Sequence, residues 1–294
     1  MYKAELDTTN LLKIMALQQS HSLISKIFAC CALSFMLLLI SMTAGRQALA
    51  SEAIAPKLPP QLNPFVATYM ITALGLEGIN VTNSLSIHSN IKNENNNPSS
   101  TTQAYHFKSY SMPIGLLAFK KDETRDEQSE GIILDGKVQP HNYSYLQIRN
   151  NKTRRQVELS FDWAQKEVTN HHKHKDSKWH MPILQQTVDK LSYQLSLMLK
   201  LANKPKNHFS FHIADGGKLK EYNFEIMGEE RVYTSLGSYK TIKIQHQRYK
   251  KEKSITLWCA PELNFLPVKI IQEEKDKPTF ISTLTSYQEG MSSD

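Results

Sequence analysis

The chain is poor in the residues that staple or break a fold. Three cysteines in 294 residues exclude a disulfide-dense scaffold. Eleven glycines and twelve prolines exclude a collagen-like or low-complexity chain. Only 21% of residues are charged and 40% are hydrophobic, which excludes a disordered polyelectrolyte. A mean hydropathy of −0.43 excludes a multi-span membrane protein. Gly-x-Gly-x-x-Gly, the Walker loop, His-Glu-x-x-His and the Gly-x-Ser-x-Gly elbow are all missing, so no phosphate cradle, zinc protease helix or serine elbow is written in the chain. No cofactor is expected.

One long apolar run is present. Nineteen uncharged residues, 27–45, lie between Lys26 and Arg46, followed by Ala48-Leu49-Ala50 and then Ser51-Glu52. A basic flank, an apolar run and a small-x-small site make a secretory signal peptide cleaved after Ala50. The n-region is long enough for Met15 to be the start. The alternative is an uncleaved inner-membrane anchor over 27–45, since 19 residues can just span a bilayer. Cys30 and Cys31 open the apolar run, where a lipoprotein cysteine would close it. Cleavage removes Lys3, Lys13, Lys26 and Arg46 against Glu5 and Asp7, lowering the net charge from +7 to +5. That charge suits anionic envelope surfaces and gives no case for nucleic acid. Cys259 remains as a lone thiol, so stability rests on an ordinary core.

Residues 51–63, with Pro56, Pro59 and Pro60, read as a linker. Period-two patterning dominates from there. Residues 65–74 are apolar on both faces, which predicts a strand buried on both sides or beside a cavity. Gly75-Leu76-Glu77-Gly78 reads as a turn. Val81, Leu85, Ile87 and Ile91 alternate with polar residues, and 93–102 reads as a solvated hairpin loop returning through Tyr105 and Phe107. One helical turn is expected over 113–119. Asp135-Gly136 is a two-residue hairpin signal, and Asn150-Asn151 turns the chain again. Tyr143 and Tyr145 share one strand face, Leu146 and Ile148 the other. Val157, Leu159, Phe161 and Trp163 alternate cleanly with Glu158, Ser160 and Asp162.

A helical period interrupts the strands. Val188, Leu191, Leu195, Met198 and Leu199 fall on one stripe, predicting an amphipathic helix over 188–201 capped by Thr187 and ended by Pro205. Strands resume around Phe211, Phe224, Ile244, Leu257, Val268 and Leu284. About a dozen short strands and one helix predict a mainly β (α+β) fold: a curved antiparallel sheet or half-barrel packed on the helix. The expected organisation is a signal peptide to 50, a linker to 63, one β-rich domain over 64–288 and a flexible tail over 289–294.

Candidate chemistry is sparse. His171, His172, His174 and His180 form the densest imidazole cluster, but Lys173, Lys175 and Lys178 repel a cation, and the stretch reads as a solvated loop with no metal site. Glu127, Ser129 and Glu130 with Asp162 read as polar strand faces, Asp162 as a solvent-face or turn-bonding carboxylate. Cys259, after Trp258 on an apolar strand, reads as a buried structural thiol. Three Asn-x-Ser/Thr sequons, at Asn80, Asn142 and Asn151, carry no meaning in a bacterial chain. Phe65, Tyr69, Tyr143 and Tyr145 with Leu191, Leu195 and Leu199 of the helix are the candidate lining of a cavity for an acyl chain or other apolar molecule. The function expected is therefore non-enzymatic: an exported periplasmic protein binding an apolar ligand or an envelope protein. The alternatives are a structural or assembly partner with a packed core and, behind both, a hydrolase.

Several fragments together carry a resemblance. Phe65-x-Ala67-x-Tyr69 precedes Glu127-x-Ser129 and Asp135-Gly136-x-Val138-x-Pro140-x-x-Tyr143-x-Tyr145. Phe161-Asp162-Trp163, Asp189-x-Leu191-Ser192-x-Gln194-Leu195, Gly228-x-Glu230 and Trp258-x-Ala260-Pro261-x-Leu263-Asn264-x-Leu266-Pro267-Val268 follow in order. In these the chain resembles the domain of unknown function 3108 family of exported bacterial proteins, from about 64 to 286. Ser235 and Cys259 stand where that pattern often has Pro and Leu. The resemblance implies a periplasmic β-rich domain, by fold analogy akin to the half-barrels of lipoprotein carriers, and brings no site residues.

Overall fold

The computed structural model describes residues 60–88, 102–115, 118, 123–248 and 252–290. The fold below is that of the unit Leu58–Asp294. The signal peptide, its cleavage site, most of the linker, the loop expected over 93–102 (all but Thr102), the core of the turn expected at 113–119 and the last four residues lie outside the described residues.

Strands β1 (Phe65–Ala73), β2 (Leu76–His88), β3 (Thr102–Pro113), β4 (Glu123–Leu134), β5 (Lys137–Arg149), β6 (Lys152–Asp162), β7 (Glu167–His172) and β8 (Ser177–Pro182) form one antiparallel meander. A second meander holds β10 (His208–Asp215), β11 (Lys218–Thr234), β12 (Gly237–Arg248), β13 (Lys253–Ala260), β14 (Leu266–Glu274) and β15 (Phe280–Glu289). The two join where β1 pairs with β15, Phe65 opposite Glu289 and Ala73 opposite Phe280. Between the meanders the chain makes a two-residue strand, β9 (Val188–Asp189), parallel to β10, and the helix α1 (Tyr193–Ala202). The result is one curved sheet of 15 strands with β8 and β9 at its edges.

The hairpins follow their sequence signals. Asp135-Gly136 and Asn150-Asn151 both take positive φ at each central residue, the mirror-image turn whose twist matches that of the flanking strands. The expected strands are present, but they are longer than expected; β11 alone has 17 residues.

Four expectations are corrected. Strand β1 is buried on one face only: Phe65, Ala67 and Tyr69 point inward, whereas Val66 is 39% exposed and Leu74, beyond the strand, 81% exposed. Composition cannot distinguish a wet apolar face from a buried one. The turn after β1 is Leu74-Gly75 rather than Gly75–Gly78. The helix starts at Tyr193, not at 188. Val188 and Asp189 pair with Ile213 and Ala214, and the Asp189 carboxylate accepts the Leu191 and Ser192 amides of the turn before the helix, whose first residue is preceded by Ser192 rather than Thr187. Thr187 instead accepts the Leu184 amide (3.0 Å). The histidine stretch is only partly a loop: His171 and His172 end β7 and His180 lies in β8, whereas His174 sits in the exposed turn Lys173–Lys175 between them. The two ends of the domain are also tied together, since Leu62 is buried and the Asn63 amide donates to Glu289 (2.7 Å).

The core lies on the concave side, around α1. Leu195 and Leu199 pack with Phe65, Tyr69, Phe107 and Leu159, while Leu197 and Leu201 pack with Phe224, Ile244, Leu257 and Cys259. The helix is therefore buried over more than the single stripe expected, because the sheet curls past it on both sides. Gly131 stands at the β4–β5 bulge, where the backbone of β5 comes close. A Cβ there would collide with the Gln139 carbonyl and sit 2.7 Å from the Pro140 Cα, both backbone and unable to swing aside. Gly131→Ala is expected to cost about 2 kcal/mol or more, as for other overpacked sites; a urea midpoint equal to that of the parent would contradict this.

Candidate functional site

Among the described residues the concave face carries one fully buried carboxylate. Asp189 lies where β9 turns towards α1, so its side chain meets the backbone amides of the turn that leads into the helix on one side and β4 on the other. Its Oδ1 accepts the Leu191 and Ser192 amides, each at 2.8 Å. Its Oδ2 accepts the hydroxyls of Ser192 (2.7 Å) and Ser129 (2.5 Å). The Tyr105 hydroxyl shares a hydrogen bond with Ser129 (3.0 Å). Burial pushes the Asp189 carboxyl above the usual carboxylate range, and the four donors only partly offset it. Burial likewise raises the Tyr105 phenol, with the nearby Asp189 charge adding to the effect.

Beside this network one sheet edge, β8, approaches the β10–β11 turn. The Trp179 indole of β8 reaches the Gly217 carbonyl in the β10–β11 turn (3.4 Å), a long contact. Gly217 has φ +72°, and a Cβ on it would overlap the Trp179 ring, so the approach requires glycine. Next to this contact, Tyr143, Tyr145, Arg155, Lys190 and Asp215 border a cleft of about 70 Å³. Tyr143 donates to Glu127 (2.8 Å), which also meets the Lys190 ammonium (3.3 Å). Lys190 and Arg155 stand over the Tyr145 ring at 5.3 and 5.5 Å, a cation–π arrangement. Partial burial would raise the Asp215 carboxyl, but the Lys220 ammonium at 2.5 Å outweighs it, Lys190 and Arg155 add to that, and the carboxyl sits below its usual range.

The seven candidate lining residues are brought together. Phe65, Tyr69, Tyr143, Leu191, Leu195 and Leu199 are buried in one cluster, and Tyr145 packs against it half-buried. Phe65 meets Phe107 edge-on at 6.1 Å and stacks on Tyr287 at 6.3 Å. Leu199 also borders a surface groove of about 430 Å³ between α1, the β4–β5 hairpin and β10.

The other sequence candidates are dispersed. Ser129 is fully buried and donates to Asp189, a geometry that leaves it no access to a substrate. Among the described residues no histidine bonds to Glu127 or Ser129. Asp162 accepts the Gln165 amide (2.9 Å), a turn-bonding role. His180 pairs with Glu167 (2.8 Å), and His171 lies 3.6 Å from Asp176. No group of three or more His, Cys, Asp or Glu side chains converges on a metal-binding point among the described residues. Cys259 is buried and unpaired, and burial raises its thiol. Sequence reasoning missed the role of Asp189, although an Asp-x-x-Ser step at the head of an apolar period is a helix-start signal.

A curled, mostly antiparallel sheet filled by its own helix, with a buried carboxylate pinning that helix, defines a β-rich, helix-plugged domain. The chain belongs to the family described as "Protein of unknown function (DUF3108)", whose model matches residues 68–285. Fragments behind the resemblance meet in space: Ser129 with Asp189 and Ser192, the Trp163 indole with the Pro140 carbonyl (2.7 Å), and the Trp258 indole with Glu230 (3.0 Å). Among solved structures the chain is similar to a β-barrel-like protein of domain of unknown function DUF1849 from Brucella abortus. The two share 11% identity over 79% of this chain and 99% of that one, with a TM-score of 0.48. No curated protein matches the chain.

Proposed function

We propose that the protein is exported to the periplasm and acts there without catalysis, by binding an envelope protein through its surface. The observation that supports this most is the filling of the concave face: Leu195, at its centre, is 0% exposed, and α1 occupies the space an acyl chain would need. Ser129, fully buried and donating to a carboxylate that is itself fully buried, has no open face toward a substrate, which is consistent with a non-enzyme. The apolar-ligand reading draws on a different observation, the convergence of all seven candidate residues around α1, with Leu199 reaching an open groove. On that reading α1 is a lid that swings away.

Native mass spectrometry of the protein purified from its own envelope separates the two. The expected mass starts at Ser51 and carries a protein partner but no lipid. A retained acyl ligand, or saturable uptake of a fluorescent fatty acid, would replace the first reading with the second. A chain still starting at Met1 or Met15 would mean an anchored protein.

A further inference from the structure

Strand β10 is eight residues long, but β9 covers it only at Ile213 and Ala214. Residues 208–211 have no neighbouring strand on that side among the described residues. The phase of the ladder says which backbone groups are left over. The Ile226 amide donates to the Asn207 carbonyl (2.8 Å), so odd-numbered residues of β10 exchange bonds with β11. The amide and carbonyl of His208 and Ser210 therefore point away from the sheet.

Open edges invite pairing, and the two edges of this sheet differ. Edge strand β8 carries Lys178 and Pro182, the usual deterrents. The exposed stretch of β10, His-Phe-Ser-Phe, carries neither charge nor proline nor bulge. It also borders the 430 Å³ groove: Ser210 and Phe211 form one side, Leu199 of α1 another, and the β4–β5 hairpin tip the far wall. The groove's apolar contacts come from Val138, Leu199 and Phe211. Its rim carries Lys137 and Lys200, both exposed and neither in an ion pair among the described residues, against one carboxylate, Asp135.

We infer that the groove along β10 receives an extended, acidic segment of a partner protein, which adds to His208–Phe211 as a further strand. Main-chain bonds to the edge would supply affinity, an apolar side chain would rest on Leu199 and Phe211, and a carboxylate would face Lys137 and Lys200. Four edge residues span roughly 14 Å, room for four or five peptide residues. The inference rests on the partner-binding reading above and names the chemistry of that partner.

The test is selection of random seven-residue peptides displayed on phage against the purified protein, with the enriched peptides resynthesised and measured by fluorescence anisotropy. Enriched peptides are expected to carry an excess of Asp and Glu. Ser210→Pro removes an edge amide that β11 does not use, and should weaken binding at least about tenfold. Lys137→Glu with Lys200→Glu should weaken it similarly, and N-methylation of alternate peptide amides should abolish it. Should Ser210→Pro fail to fold, the N-methylated peptides carry the test alone. No enrichment, or binders indifferent to these changes, would overturn the inference. So would a dimer that Ser210→Pro dissolves, which would make a second copy the occupant. An envelope partner seen by native mass spectrometry despite a failed edge test would reject the edge alone; fatty-acid uptake would reject the partner reading itself.

Discussion

Leu195→Ala is expected to destabilise the protein by about 2–5 kcal/mol, the range for removing a fully buried leucine from a core that cannot collapse. Leu195 sits in the first turn of α1 with sheet on either side of the helix, so neighbours anchored in strands cannot close the hole. Leu195→Trp tests the same site from the opposite direction. In a filled interior the extra volume costs about 1–3 kcal/mol or more. In a chain that opens to hold an acyl molecule, Trp would be tolerated while fatty-acid uptake falls. Urea unfolding of both variants, with a fluorescent fatty acid titrated into each, decides between them. Tolerance of Trp together with uptake by the parent would reverse the functional proposal.

Asp189→Ala is the second large effect. It strands two amides and two hydroxyls in a buried site, and an unsatisfied buried donor costs about 1–3 kcal/mol. A total loss on the order of 3 kcal/mol or more is expected. Asp189→Asn keeps the shape and one acceptor oxygen and should cost far less. The pair also has a pH signature. The folded-state pKa of Asp189 is raised, so its favourable contribution is fully present below the ordinary aspartate pKa of about 3.9 and is lost as pH rises through the folded value. The parent's stability relative to Asp189→Asn should therefore fall as pH is raised from 4 towards neutrality. A difference that is flat or grows with pH in denaturant titrations would contradict the assignment.

Much of this fold is legible in the sequence because its causes are local. Alternation in 157–161 and the dipeptides Asp135-Gly136 and Asn150-Asn151 act within a few residues, and the strands and hairpins follow them. The helix boundary is hidden in the sequence because Val188 and Leu191 are buried for different reasons, one in a short parallel strand and one beside α1, yet they fall on a single period. The exposure of Val66 was illegible for a related cause. Hydrophobicity records what a side chain tolerates, and only the sheet's curvature decides which face is covered. Asp189 meets Ser129 across 60 positions, a contact no window could show. Leu195 and Leu199 were found from periodicity, whereas Leu197 and Leu201 lay off the expected stripe and were missed because a helix wrapped on two sides breaks the one-stripe pattern.

The pairing of β1 with β15 bears on how the chain reaches this structure. Phe65 has Glu289 opposite it, so the strand that begins the fold finds one of its two neighbours only when almost the whole polypeptide is available. Each meander is built of adjacent hairpins and can assemble early, but the seam between them closes a loop of over two hundred residues, which is entropically the most expensive contact in the ladder. Such non-local pairing slows folding. Until residue 289 is free to dock, the edge of β1 that faces β15 stays open, so the two meanders are two separate sheets, each with an extra unpaired edge, and the seam that merges them is the last contact to form.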